Sequence, residues 1–497
     1  MTPAAHAASP YAQTLSELFG APAVAPRAGR GARMIVGAEH DGALHRAYTR
    51  LRHHAFVERQ GLFDRHDVDD RDGDPDTRVL VAVGLDGEVV GGVRLHPEGA
   101  DPTLGWWRGS RLVCASASTR TRDGGPSHGR VGAELVRAAC ASAVQAGALR
   151  FDAHVQHDKV AFFSRLGWEV AGDVRCAGVA HRLMCWPVPR VADLVARTKL
   201  PIGELVGSLL AAGSIPRGFL GDDGVPVPGS DVVAATDAIL PAMVQDDPEW
   251  AGWCAMLVTA HDLSAMGAAP IGALDALGAR DAQHAARIVS GLRAGAEALA
   301  LPVLGGHTQL GVAGALSVTG LGLAADPVPA AGGRAGDGLA VTADLHGGWR
   351  PGYGRTQWDS SSWRSREELA VMLSAVRAAR PHAAKDVSMA GVVGTTAMLA
   401  EASGCGAELD VAAIPRPHAI AAGDWLTCFP GFAMVTADAP SAPPLPAGAA
   451  TSERCGRLTA EPGVRLRWPD GRVTTILAES AVTGLGPADQ EIPRCPS

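Results

Sequence analysis

The chain has 497 residues, 47% of them hydrophobic, and a formal net charge of -8 at neutral pH. That length exceeds what one core usually serves, so two or three domains are expected. The acidic balance excludes general nucleic-acid binding, which needs a basic surface; no apolar run is long enough for a membrane span, and the first thirty residues lack the apolar core of a secretory signal.

Residues 1–30 read as a flexible arm with a short helix around Tyr11–Phe19. MIVGAEH predicts a first strand and ALHRAYTRLRHHAFVERQGLF a helix. The acidic run FDRHDVDDRDGDPD cannot bury its own charge and predicts a solvated loop. RVLVAVGL and EVVGGVRLHP predict a hairpin turning at Asp86-Gly87. RLVCASAS is a further strand, GRVGAELVRAACASAVQAG a helix, ALRFDAHV a strand, KVAFFSRLGWEV a short helix ending at Gly167, and VAHRLMCWPVP a closing strand. Residues 31–190 thus predict an α+β domain mixing a hairpin with crossovers.

A second unit follows. SDVVAATDAIL, IGALDALG and ALSVTGLGLA predict strands, and the segments through AGWCAMLVTAHDLSAMG and AQHAARIVSGLRAGAEALA predict helices, within a domain at 191–330. A further half at 331–480 carries GLAVTADLHG, GFAMVTAD and VRLRWPDGRVTTIL as strands, with helices in REELAVMLSAVRAAR and MAGVVGTTAMLAEASG. SAPPLPAGAA is a loop, and 481–497 an irregular tail. The cysteines have no C-x-x-C spacing, which fits a reducing, cytoplasmic setting.

In the front domain, SHGRVGAELVRAA opens a helix from a glycine-rich turn, leaving N–H groups and the helix dipole free for an anion. Gly129 and Gly132 let the backbone approach a pyrophosphate, Arg130 adds charge, and the strand at Leu112 and Val113 offers backbone groups beside it. Proton acceptors for attack by an amine are Glu58, Asp67 and His154. The order of these elements resembles the GNAT superfamily of acyl-CoA-dependent N-acetyltransferases. The resemblance implies acetyl-CoA as cofactor and a small-molecule amine as substrate. Ser127 and Arg130 stand at two positions of the family's pyrophosphate motif, and Phe163 stands where a catalytic tyrosine is frequent.

The rear unit places acids at strand and loop ends: Gly221-Asp222-Asp223, Thr236-Asp237, His261-Asp262, and Lys385-Asp386 before Ser388. Carboxylates meeting there suit a hard cation bridging nucleotide phosphates. Gly305, Gly306, His307 and Thr308 of GGHTQ add a glycine-rich segment. This order resembles the family of aminoimidazole ribonucleotide (AIR) synthase, thiamine-monophosphate kinase and selenophosphate synthetase. The resemblance implies a two-domain α/β (PurM-like) unit, ATP and magnesium as cofactors, and a homodimer. It implies Asp222, Asp223, Asp237 and Asp262 as metal ligands, with Asp386 catalytic and Gly221, Gly305, Gly306, His307 and Thr308 in cofactor binding. His307 replaces a frequent carboxylate of that family, and Met389 stands where an aspartate is common.

As a whole, the chain is similar to proteins joining these two parts that are encoded near a nitrilase in gene sets linked to nitrogen starvation. Two functions stay open: a two-site small-molecule enzyme, or a sensor of nucleotide or coenzyme A with degenerate sites, for which Phe163 and Met389 speak.

Overall fold

A computed structural model describes residues 34–40, 42–84, 87–115, 128–213, 217–479 and 482–488. The expected helix at Tyr11–Phe19, Asp86 of the hairpin turn, Ser127, and the tail beyond Ala488 lie outside these. Contacts divide the chain into two units, one within Ala21–Arg190 with Ala421–Gly423, the other within Val191–Ile420 and Asp424–Ser497.

The front unit is built on strands β1 (Met34–Gly37), β2 (Arg78–Val83), β3 (Val89–Pro97), β4 (Trp106–Cys114), β5 (Arg150–Gln156), β6 (Glu169–Cys176) and β7 (Val179–Trp186). They form one sheet in the order β1-β2-β3-β4-β5-β7-β6. Within it only β4 and β5 run parallel. The helix His128–Gln145 lies on β2, β3 and β4, burying Val131, Leu135, Ala139 and Ala143, a stripe at four-residue spacing.

The acidic run is a loop in which Asp64, Asp69, Asp70 and Asp76 are exposed as expected, but Asp67 is buried and Asp72 nearly so. Arg52, fully buried, holds Asp67 at 2.6 Å and Asp72 at 2.5 Å, and Arg94 holds Asp69 at 2.6 Å and Asp72 at 2.7 Å. Asp67 and Asp72 can be covered because arginines from a helix and from β3 neutralise them, whereas Asp69 stays 40% exposed. Strand β6 is missing from the sequence expectation: its polar residues give no alternation, and its hydrogen bonds to β7 hold it at the sheet edge.

The rear unit has two main sheets sharing one core. The first contains β8 (Val225–Pro226), β9 (Val232–Ala238), β10 (Ala269–Ala279), β11 (Val303–Leu310) and β12 (Ala315–Leu323), in the order β11-β10-β12-β9-β8. After β13 (Gly338–Ala343) comes a two-stranded ribbon, β14 (Gly348–Trp349) with β15 (Trp358–Asp359). The second sheet adds β16 (Ala383–Asp386), β17 (Gly406–Asp410), β18 (Ala433–Asp438), β19 (Thr451–Thr459), β20 (Val464–Arg467) and β21 (Val473–Leu477), in the order β16-β18-β13-β19-β17-β20-β21.

The helix Pro248–Ala265 joins the sheets. All its residues except Glu249 and Trp253 are buried, as a helix apolar on every side must be, and it packs on β9, β12 and β16. The helix Ala282–Ala298 lies close against it because Gly291 has no side chain; a Cβ there would overlap the Glu249 carbonyl. This packing sets the C-terminal turn of Pro248–Ala265 beside the end of β16.

Candidate functional site: an acidic cluster with a buried lysine

Three chain segments meet at that point. Asp223 follows the turn at Gly221, whose φ of 79° suits glycine; Asp262 lies in the last turn of Pro248–Ala265; Asp386 ends β16. One carboxylate oxygen from each lies within 4.8 Å of the others. Opposed oxygens around a single magnesium or calcium ion stand about 4–5 Å apart, so the spacing is that of one ion's ligands.

The electrostatics are unfavourable as they stand. Asp262 and Asp386 are 8% and 4% exposed. Burial, then the neighbouring carboxylates Asp386 for Asp262 and Asp223 for Asp386, push both carboxyls well above the usual range. Asp262 also sits at the negative end of a helix dipole. A cation offsets all three effects at once.

Part of that cation is built in. Lys385 Nζ pairs with Asp223 Oδ1 and donates to the Gly221 carbonyl at 2.8 Å, and the Asp386 N–H donates to Asp223 Oδ2 at 2.9 Å. The loop after Asp386 runs into the helix Gly391–Ala402, and Ser388 Oγ on it is buried without a hydrogen-bond partner among the described residues. Such an Oγ, at the approach to a helix N-terminus, suits a phosphate oxygen.

The remaining expected residues fall elsewhere. Asp222 turns away from the cluster: its Oδ1 accepts from the Ala330 N–H, its Oδ2 is buried without a partner, and burial raises its pKa to about 7. Asp237, on β9, accepts from the Ala238 N–H at 2.8 Å and borders the cluster without joining its ligand set. Lys199, which the sequence did not single out for this site, feels the charges of Lys385, Asp386 and Asp237; burial, then Lys385, lowers its pKa.

Gly305, Gly306, His307 and Thr308 lie on β11, the edge strand, exposed along its whole length. Gly306 makes room for a neighbour: it pairs with Asp275 on β10, whose carboxylate a Cβ would overlap.

In the front unit, β4 and β5 pair from Trp106–Gly109 to Arg150–Ala153 and then part, leaving His154, half-buried, as the first β5 residue past the last pair. Opposite it, β4 bulges: Gly92 pairs with Val113 but Arg94 with Ser110, so β4 carries one extra residue. Arg111 takes a φ of 55° there, and its carbonyl accepts from Tyr48 Oη at 2.7 Å. Leu112 lies in the bulge beside Arg111, and Val113 closes it by pairing with Gly92.

Gly129, Arg130 and Gly132 form the first turn of the helix, not a turn before it, and Arg130 pairs with Glu134 at 3.1 Å. A Cβ on Gly132 would stand 3.4 Å from Phe162 and 3.6 Å from Cys114 Sγ, so this glycine sets the closeness of helix and β4. Glu58 is exposed and pairs with His54 at 2.8 Å, which lowers its carboxyl, the wrong direction for a base. Asp67 is engaged by Arg52 and Arg111. Phe163 is buried against Trp168.

Residues 221–324 match the family AIR synthase related protein, N-terminal domain, and residues 334–469 match AIR synthase related protein, C-terminal domain. An uncharacterized protein of Synechocystis sp. is 33% identical over 223 residues, 44% of this chain and 69% of that protein. An uncharacterized protein of Methanocaldococcus jannaschii is 28% identical over 193 residues, 37% of this chain and 59% of that protein. Among solved structures, thiamine monophosphate kinase from Aquifex aeolicus is 18% identical, covers 55% of this chain and 97% of that chain, and has a TM-score of 0.42.

Proposed function

This chain belongs to the AIR synthase-related family, and on that premise we propose that its rear unit binds ATP with magnesium and activates a small carboxylate, amide or phosphate. The observation that carries this is the pair of buried, mutually repelling carboxylates Asp262 and Asp386 converging with Asp223. Magnesium held there supplies charge neutralisation for nucleotide phosphates. Asp262 and Asp386 offer ligand oxygens, Lys385 fixes Asp223, and Ser388 Oγ is a donor for a phosphate oxygen. The exposed edge β11, with Leu304 and Leu310 among its apolar side chains, supports pairing with a second copy to give a homodimer. The cytoplasm fits the absence of disulfides among the described residues.

Titration calorimetry with ATP, with and without magnesium, tests the site; no magnesium-dependent binding would remove it. Binding without ADP release across a metabolite panel would favour the sensing alternative.

For the front unit we propose an acyl-CoA-dependent N-acyltransferase acting on a small-molecule amine. The bulge at Arg111 beside the parting of β4 and β5 supports it: parted strands expose unpaired backbone groups along which a pantetheine arm can lie. His154, at that opening, is the candidate base, and Phe163 offers no proton to a leaving thiolate. Acetyl-CoA binding to the full chain, and its thiol release with amines, tests this; no binding would end it. His154→Ala should reduce kcat with KM for acetyl-CoA held.

A further inference from the structure

We infer that Glu401 is a positioning residue for the acidic cluster: it captures a C-terminal strap, residues 482–488, and the strap fixes both the Gly221 turn that delivers Asp223 and the segment that carries Lys199 to the cluster's border. The inference rests on the metal-site proposal above and concerns what holds that site in shape.

Glu401 lies in the last turn of the helix Gly391–Ala402, about 15 Å along it from the loop that follows Asp386. It is 4% exposed, sits at the negative end of its helix dipole, and has no ion-pair partner among the described residues. A carboxylate so placed is kept only if hydrogen bonds replace the water it has lost. The strap supplies four. Oε2 accepts from the Val482 N–H at 3.0 Å, the Thr483 N–H at 2.8 Å and Thr483 Oγ1 at 3.0 Å, and Oε1 accepts from the Gly486 N–H at 3.1 Å. The strap lies beyond residue 469, where the match to the family's C-terminal domain ends.

From this anchor the strap reaches the site on two sides. The Thr483 carbonyl accepts from the Gly203 N–H at 2.7 Å, and a Cβ on Gly203 would stand 2.4 Å from the Gly484 carbonyl. Gly203 is in the first turn of the helix Ile202–Ala211, four residues after Lys199, whose ammonium feels Asp386, Asp237 and Asp223. On the other side, Leu485 packs on the cluster of Leu220, Ala330 and Ala402, and its Cδ1 stands 3.7 Å from where a Cβ of Gly221 would lie. Ala330 also donates its N–H to Asp222, so the strap backs the turn from which Asp223 enters the cluster.

That turn is where support matters. Asp262 and Asp386 are carried by a helix and a strand, whose own hydrogen bonds hold them against mutual repulsion. Asp223 stands on an irregular turn with a left-handed glycine, which has no such ladder.

Glu401→Gln keeps the side chain's shape but puts an NH2 in place of one oxygen, so in either orientation a strap N–H faces a donor. The test follows hydrogen exchange and magnesium-dependent ATP binding on the full chain. In folded Glu401→Gln, the amides of Gly203, Val482, Thr483 and Gly486 should exchange at least about tenfold faster, since a hydrogen bond to a charged group is lost. Magnesium-ATP should bind about tenfold more weakly, while amides of the helix Pro248–Ala265 stay as protected as in wild type. Fast strap amides with wild-type affinity would make the strap a fastening of the chain end alone, and unchanged strap amides would mean that Glu401 does not hold it. Either result overturns the inference and leaves the metal site standing. No magnesium-dependent ATP binding by wild type removes the metal site and the inference with it. Should Glu401→Gln unfold the protein or loosen Pro248–Ala265, Gly203→Ala, whose Cβ pushes Gly484 away without touching Glu401, decides by the same two measurements.

Discussion

Replacing Asp262 with Asn removes one charge from the cluster while nearly keeping shape, and its two expected effects have opposite signs. Two full charges 4.8 Å apart, the outer limit for these ligand oxygens, repel by about 3.5 kcal/mol at an effective dielectric of about 20. A proton taken up by the raised carboxyls relieves part of this, so the metal-free protein should gain about 1–2 kcal/mol. That corresponds to roughly 3–6 °C in the melting temperature of the rear unit. Loss of a charged ligand should meanwhile weaken magnesium binding by about 3 kcal/mol, roughly a hundredfold. Thermal unfolding with and without magnesium, and titration with magnesium and ATP, measure the two effects. If Asp262→Asn destabilises the protein equally with and without magnesium, the carboxylate is a structural acceptor and the reasoning here is refuted.

The front unit should lose stability as pH falls from about 6.5 to about 4, by roughly 3 kcal/mol from His96 alone, because burial lowers its pKa to about 4 and only the unfolded chain takes up the proton in that window. Glu98, raised by burial, works the opposite way, stabilising as pH falls; His96→Gln in a pH series of unfolding curves should therefore remove the loss and leave Glu98's gain. On β11, Gly306→Val should destabilise by about 1–3 kcal/mol against Asp275 while Gly305→Ala, whose Cβ meets only Leu274 at 3.9 Å, is tolerated; loss of ATP affinity in folded Gly305→Ala would put the edge strand in the nucleotide site.

How much of this the sequence revealed depends on range. The helix through Asp262 and the strands around it were legible because their apolar pattern is local, and the GDD, HDL and KD motifs pointed to the right segments. Which aspartate of Asp222-Asp223 enters the cluster was not legible, since that depends on the left-handed turn at Gly221 and on Ala330, over a hundred residues away. Lys385 was noticed only as part of a motif; its pairing with Asp223 spans 162 residues. For GGHTQ the sequence left open whether its glycines let phosphates or strands come close, because glycine serves both, and the register with Asp275 shows the strand contact at Gly306. Strands β6 and β19 escaped notice because both carry many polar residues and owe their place to backbone pairing.

The clamp on the acidic run bears on how the front unit responds to its solvent. Arg111 is held by Asp67 at 3.2 Å and by Asp69 at 3.0 Å, so the run whose charges look most exposed in the sequence also buttresses the bulge. Arg52, Arg94 and Asp67 are almost wholly shielded. Dissolved ions screen pairs in water far more than pairs that water does not reach. The Arg52 and Arg94 pairs with Asp67 and Asp72 should therefore tolerate changes in ionic strength that would loosen an ordinary surface network, while the Arg111 pair with Asp69, whose side chain is 40% exposed, should be the part of this clamp that salt weakens first.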